Sequence, residues 1–115
     1  MPEIVHYPEY AIVFNNDEEG DRYYIIQQGE VEIFKLNDAG EKLQYRVLKN
    51  GDHFGEIALL KGIPRTASVR TLTPCDLLVF TREEFLLLVQ RNAHLRDSFE
   101  REASFLLRKP IEDEM

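Results

Sequence analysis

The sequence predicts a mainly β domain closed by C-terminal helices, and three observations predict it. Short segments rich in Tyr, Ile, Val and Phe follow one another at close spacing through the first two thirds of the chain, the pattern of an all-β roll, barrel or sandwich. Asn, Asp and Gly stand between those segments, where tight turns need them. After Thr81 the apolar positions change to helical spacing. A chain of 115 residues, 43% of them apolar, is the size of one domain and can bury a single modest core. One domain over 1–115 is therefore expected, with the β part at about 4–80 and the helices at about 81–109.

The strands are read in order as Tyr10 to Phe14, Arg22 to Gln28, Val31 to Leu36, Leu43 to Leu48, Thr66 to Leu72 and Asp76 to Phe80. Asn15 to Gly20, Gly29, Asn37 to Lys42 and Thr73 with Pro74 separate them. Thr81 with Glu84 three residues later spells a capping box, the hydroxyl serving the first free amides while the carboxylate reaches back. A helix through Phe85, Leu86, Leu87, Leu88 and Val89 follows, apolar around much of its circumference and so buried. A second helix is expected from Asn92 to Lys109, its face marked by Leu95, Phe99, Ala103, Leu106 and Leu107, and stopped by Pro110. Ile111 to Met115 is expected to fray.

Charge and cysteine content exclude several function classes. A formal net charge of −7 argues against a nucleic-acid surface, which depends on clustered Lys and Arg. A bound phosphate must then be held locally, by a sheltered cation with backbone donors around it. The single Cys75 can form no internal disulfide and reads as a small buried hydrophobe. Absence of an apolar run of about 18 residues and of a secretory pattern at Met1 to Ile4 leads to the expectation of a cytoplasmic protein with no membrane contact.

The segment from Phe54 to Val69 carries the chemistry. Gly51 and Asp52 make a turn, and Gly55 permits close backbone approach where a short helix can begin. Glu56 to Leu60 are good helix formers, and Gly62 and Pro64 end that helix within two turns. Its first amides and partial positive charge suit an anion. Arg65, just past the proline, can fold back toward the same anion. Glu56 would repel a bare phosphate, but not a ligand that carries a hydroxyl beside its phosphate: the carboxylate accepts from the hydroxyl while Arg65 pairs with the phosphate oxygens. A cyclic ribose phosphate is such a ligand, and the small Ala58 and Ala67 leave room for it.

This segment resembles the phosphate-binding cassette of the cyclic-nucleotide-binding domain family, which includes kinase regulatory subunits, nucleotide-gated channels and the catabolite activator protein. The family pattern, Phe-Gly-Glu-x-Ala-Leu, a short spacer, then Pro-Arg-x-Ala-Ser/Thr-Val, is matched from Phe54 to Val69 without a gap. Upstream, Gly20-Asp21-Arg22-Tyr23-Tyr24-Ile25-Ile26 and Gly29-Glu30-Val31 resemble the family's second and third strands, and the likeness runs from about Tyr7 to Arg91. It implies a β-roll of the double-stranded β-helix or jelly-roll type, with a short internal cassette helix and two C-terminal helices. It further implies that Glu56 binds the ribose 2′-hydroxyl and Arg65 the cyclic phosphate, with Gly55, Ile57, Ala58, Thr66 and Ala67 completing the pocket. Thr66 in this family touches phosphate or a guanine amino group, which leaves cAMP and cGMP both open.

Three departures stand out. The family's first turn has Gly before Asp where this chain has Asn16-Asp17; Asn tolerates positive φ best among other residues, so the turn is expected to survive there. The helices that often precede the roll have no counterpart before the first strand-like residues. The lid over the base has only candidates, Phe99, Phe105 and Leu106.

The expected activity is that of a regulatory or sensor module for cAMP or cGMP, with no catalytic residues, no metal and no cofactor. Its further partner would be a second copy or an effector, reached through the C-terminal helix. The alternative class is a degenerate member of the fold acting as an interaction scaffold without nucleotide, which the intact Glu56 and Arg65 disfavour. For those two residues the bland reading is a salt bridge closing a surface loop, worth about 0 to 1 kcal/mol. A cupin-like metal enzyme would need converging histidines, and His6, His53 and His94 are scattered. No nucleophile-elbow context is present.

Overall fold

The computed structural model describes residues 2–94 and 97. Among these residues the complete elements follow in order: β1 (Glu3–Tyr7), β2 (Ile12–Phe14), β3 (Arg22–Gln28), β4 (Val31–Leu36), β5 (Lys42–Leu48), β6 (His53–Phe54), α1 (Glu56–Lys61), β7 (Ser68–Thr71), β8 (Cys75–Thr81) and α2 (Arg82–Gln90). They form two antiparallel four-stranded sheets with strand orders β1-β8-β3-β6 and β2-β7-β4-β5. This is the mainly β roll with a short internal helix that the sequence predicts.

Alternation along the strands builds the core. Tyr24 and Ile26 of β3, Val31 of β4, Leu48 of β5, Val69 of β7 and Leu77 and Val79 of β8 meet between the sheets with Phe14 and Phe54. The other face of β3 is covered too. Tyr23 and Ile25 pack with Leu59 of α1 and Phe85 and Val89 of α2, the Tyr23 and Phe85 rings lying 4.8 Å apart. A strand buried on both sides explains the unbroken apolar run Tyr23 to Ile26. Phe85 is wholly buried, a burial that contributes about 1.5 to 3 kcal/mol.

The capping box forms as the sequence predicts: Glu84 N–H donates to the Thr81 hydroxyl, and Thr81 N–H donates to the Glu84 carboxylate. Several elements differ from expectation. The segment read as Tyr10 to Phe14 holds only Ile12–Phe14, because Tyr10 takes a left-handed φ of 61° in the turn after a separate strand β1. The strand read as Thr66 to Leu72 contracts to Ser68–Thr71, since the backbone of Arg65 is bonded to the 15–18 turn rather than to a ladder. The two-residue β6 is an addition, too short for any period to show in the sequence. The helix expected from Asn92 to Lys109 falls almost wholly outside the described residues, as do Phe99, Phe105, Leu106 and Ile111 to Met115.

Candidate functional site

The cassette folds as its sequence dictates. Gly55 takes φ 95°, closed to most side chains, and an added Cβ would sit 3.0 Å from the Arg22 carbonyl and 3.1 Å from the Arg65 guanidinium. From there α1 runs to Gly62, whose left-handed φ of 65° ends it as its N–H donates to the Ala58 carbonyl. No side chain caps the start of α1.

Arg65 is positioned by its backbone and its side chain together. Asp17 N–H donates to the Arg65 carbonyl at 2.8 Å, and Arg65 N–H donates to the Glu18 carbonyl at 2.8 Å. The 15–18 turn is thus the clamp that holds the arginine. The expectation that Asn16 carries the positive φ is corrected: Asp17 does, at 74°, while Asn16 N–H donates to the Ser68 hydroxyl. Placing the left-handed residue one step later aims the Asp17 amide at Arg65. The guanidinium donates to the Gly55 carbonyl at 2.7 Å and the Arg22 carbonyl at 2.8 Å, and lies 4.0 Å from the centroid of the Phe14 ring. Tyr24 and Phe54, stacked 4.9 Å apart, continue that aromatic bed.

Only 4% of Arg65 is exposed, yet no carboxylate among the described residues lies within ion-pair range of it, and its Nε has no hydrogen-bond partner among them. Burial pushes the guanidinium below its ordinary pKa, against the opposing pull of Tyr24, Asp21, Glu56 and Glu18. A guanidinium still keeps its charge in a protein. Desolvation likewise raises Tyr24 to about 12, so its phenol stays neutral.

Glu56, 2% exposed, opens α1. The salt bridge weighed for Glu56 and Arg65 does not form; the cation near Glu56 is His53, whose Nδ1 stands 3.8 Å from a carboxylate oxygen and is charged only if protonated. All seven residues singled out from the sequence, Gly55, Glu56, Ile57, Ala58, Arg65, Thr66 and Ala67, line one cavity of about 140 Å³.

Sequence reasoning misses part of that lining. Ile33 and Lys35 of β4 and Tyr45 and Arg46 of β5 line it as well. Alternation along the β4–β5 hairpin is the available signal for Lys35. It fails on β5, where a register shift opposite Ile33 and Phe34 inserts Tyr45. Gly20, which in the sequence is turn punctuation alone, has a second role. A Cβ there would lie 2.5 Å from the Ala58 Cβ and 2.8 Å from the Arg65 Nε, so the glycine lets the cassette close on its arginine.

A family model for the cyclic nucleotide-binding domain matches residues 4–92. The chain belongs to the cyclic nucleotide-binding domain family. It is 38% identical over 68 residues to a cAMP-dependent protein kinase regulatory subunit of Blastocladiella emersonii, a match covering 59% of this chain and 17% of that protein. Among solved structures, the catabolite activator protein of Thermus thermophilus superposes with a TM-score of 0.85 at 25% identity, covering 97% of this chain and 53% of that one. The cAMP-bound form of the EAL enzyme Bd1971 superposes at 0.82 with 30% identity, covering 96% of this chain and 30% of that one. This cyclic nucleotide-binding domain thus spans well under half the length of its curated relatives. No helix among the described residues is long and apolar enough to cross a membrane.

Proposed function

We propose that this domain captures cAMP or cGMP in the cavity between α1 and the β4–β5 hairpin and acts as a regulatory module without catalysis of its own. Glu56 accepts from the ribose 2′-hydroxyl, and Arg65 pairs with the cyclic phosphate. Gly55, Ile57, Ala58, Thr66 and Ala67 shape the wall around the sugar phosphate. One observation carries this reading. A guanidinium 4% exposed, fixed by two backbone carbonyls, has donors to spare and no carboxylate among the described residues. Burying a charge without a partner is costly, and a phosphate supplies the missing anion. Relatives support the ligand class: the EAL enzyme Bd1971 has been solved in cAMP-bound and cGMP-bound forms, and the regulatory domain of Toxoplasma gondii PKA with cAMP.

The module works in the cytoplasm and passes its signal to an effector or a second copy through the segment after α2. Ligand capture shifts a population between states, by no more than the difference in affinity for each. Isothermal titration of the chain with cAMP and cGMP tests the reading. Arg65→Ala should cost about 2 to 5 kcal/mol of affinity for whichever nucleotide binds. Equal affinity in wild type and variant, with both folded by circular dichroism, would overturn the role given to Arg65.

A further inference from the structure

Two turns are tied together just ahead of the cassette. Asn50 and Gly51 lie between β5 and β6, and Gly29 lies between β3 and β4. Gly29 N–H donates to the side-chain Oδ1 of Asn50 at 2.7 Å. Gly51 N–H donates to the Ile26 carbonyl, and Ile26 N–H donates to the Asp52 carbonyl, each at 2.8 Å. Asp52 closes the turn on itself: its N–H donates to the Lys49 carbonyl at 2.9 Å, and its carboxylate accepts from Lys49 N–H at 2.8 Å. Strand β6 begins at the next residue and leads straight into Gly55 and α1.

Asn50 is exposed and is the one asparagine of the chain followed by glycine. Asparagine is a thermolabile residue, and this pairing is its most reactive setting, because glycine has no side chain to hinder approach to its nitrogen. The Gly51 backbone nitrogen gives up its proton and attacks the Asn50 Cγ; a C–N bond forms and the side-chain nitrogen leaves as ammonia. Water then opens the resulting succinimide at one of its two carbonyls, giving aspartate or isoaspartate. No oxidant or enzyme is required. In this fold both reacting groups are engaged, the nitrogen through its proton at Ile26 and the side-chain amide through its oxygen at Gly29. Ring closure must break the first bond and turn the side chain away from the second.

We propose that Asn50 is a self-modification site which the folded domain holds in check, and that its conversion to isoaspartate unlocks the turn leading into the cassette. Isoaspartate reroutes the main chain through the former side chain and lengthens it by one carbon. Gly51 and Asp52 then no longer stand in register with Ile26, and the oxygen that met Gly29 becomes part of the backbone. Aspartate keeps the backbone path and an oxygen for Gly29 N–H. The chemistry is independent of what the cavity binds.

Peptide mapping of the whole chain, incubated at mildly alkaline pH either native or unfolded in urea, tests the first half. The unfolded chain should convert at Asn50 ahead of Asn15, Asn16, Asn37 and Asn92, to a mixture of aspartate and isoaspartate. Two hydrogen bonds of ordinary strength should slow the native chain about tenfold or more. Asn50 intact in urea, or a native chain that reacts as fast as the unfolded one, would overturn this. For the second half, the isoaspartyl chain is isolated by chromatography after refolding and compared with Asn50→Asp, which carries the same charge without the added backbone carbon. The isoaspartyl chain should melt about 4 °C or more below wild type, and Asn50→Asp close to wild type. Equal melting of the isoaspartyl chain and wild type would remove the unlocking role. An Asn50→Asp variant that falls as far would assign the loss to charge and overturn it as well.

Discussion

Glu32 and Arg65 are both almost fully buried charges, 0% and 4% exposed, yet the molecule provides for them in opposite ways. On the outer side of β4, Glu32 receives hydrogen bonds from Lys42 at 2.8 and 3.1 Å, Gln44 at 2.8 Å and Arg70 at 3.0 Å. Its acceptor capacity is used from within the fold. On the inner side, Arg65 finds, among the described residues, only two neutral carbonyls and an aromatic ring. A buried charge satisfied by its own chain is a structural joint. One held in place with donors left over is a receptor for something brought from outside, and burial alone cannot distinguish the two. What distinguishes them is whether the counter-charge is present in the fold.

After Arg65→Ala, the sharpest test of that contrast is Glu32→Ala. It removes the acceptor that ties β4 to β5 and β7 and leaves two cations facing each other. Because Lys42 and Arg70 can still reach water, with side chains 42% and 35% exposed, the loss should fall short of that for a wholly buried pair, at about 2 to 3 kcal/mol. Chemical denaturation reads the stability, and nucleotide affinity measured alongside it should hold within twofold. A variant as stable as wild type but with weakened nucleotide binding would reverse the assignment of the two clusters.

Gly20→Ala perturbs the receptor side instead. Its φ is not in the left-handed range, so strain from backbone conformation is not at issue; the added methyl would press on Ala58 and on the Arg65 Nε. Either α1 or the guanidinium must move. Overpacking of this kind costs about 1 to 3 kcal/mol, and here part of the cost should appear as weaker nucleotide binding. If affinity stays at the wild-type value while only the melting temperature drops, the close approach of Gly20 matters for packing and not for aiming the arginine.

Much of the receptor side is legible in the sequence alone, because glycine, proline and a helix-forming run leave a strong local signature from Phe54 to Val69. The 15–18 turn is legible in outline, yet local preference names Asn16 where the bond to Arg65, 48 residues away, selects Asp17. Little of the structural joint can be read. In Val31 to Leu36 the alternation puts Glu32 on the outward face, where a charge ordinarily meets water. Its burial depends on Lys42, Gln44 and Arg70 converging from two other strands, which one strand's pattern does not encode. The same holds for Lys35 and Arg46, whose shared cavity depends on pairing across the hairpin.

Acid provides the mildest probe of the joint, since it removes the charge of Glu32 while leaving the side chain in place. Desolvation, the largest single influence, pushes the Glu32 carboxyl up; hydrogen bonds from Lys42 and Gln44 and the charges of Lys42 and Arg70 together outweigh it and hold the group below its ordinary value of 4.5. A folded pKa below the unfolded one means that the unfolded chain binds the proton more readily. The stabilisation from this group is therefore complete above about pH 4.5 and is lost as pH falls through the lower folded value. Protonated Glu32 can still accept a hydrogen bond through its carbonyl oxygen, so the loss should be smaller than in Glu32→Ala. Denaturation midpoints followed from pH 7 down to pH 3 in wild type and in Glu32→Gln check this. Gln cannot titrate, so the variant's curve should fall less steeply below pH 4.5. Parallel curves would show that Lys42 and Arg70 do not stabilise the folded carboxylate, leaving Glu32 buried without the electrostatic joint described for it.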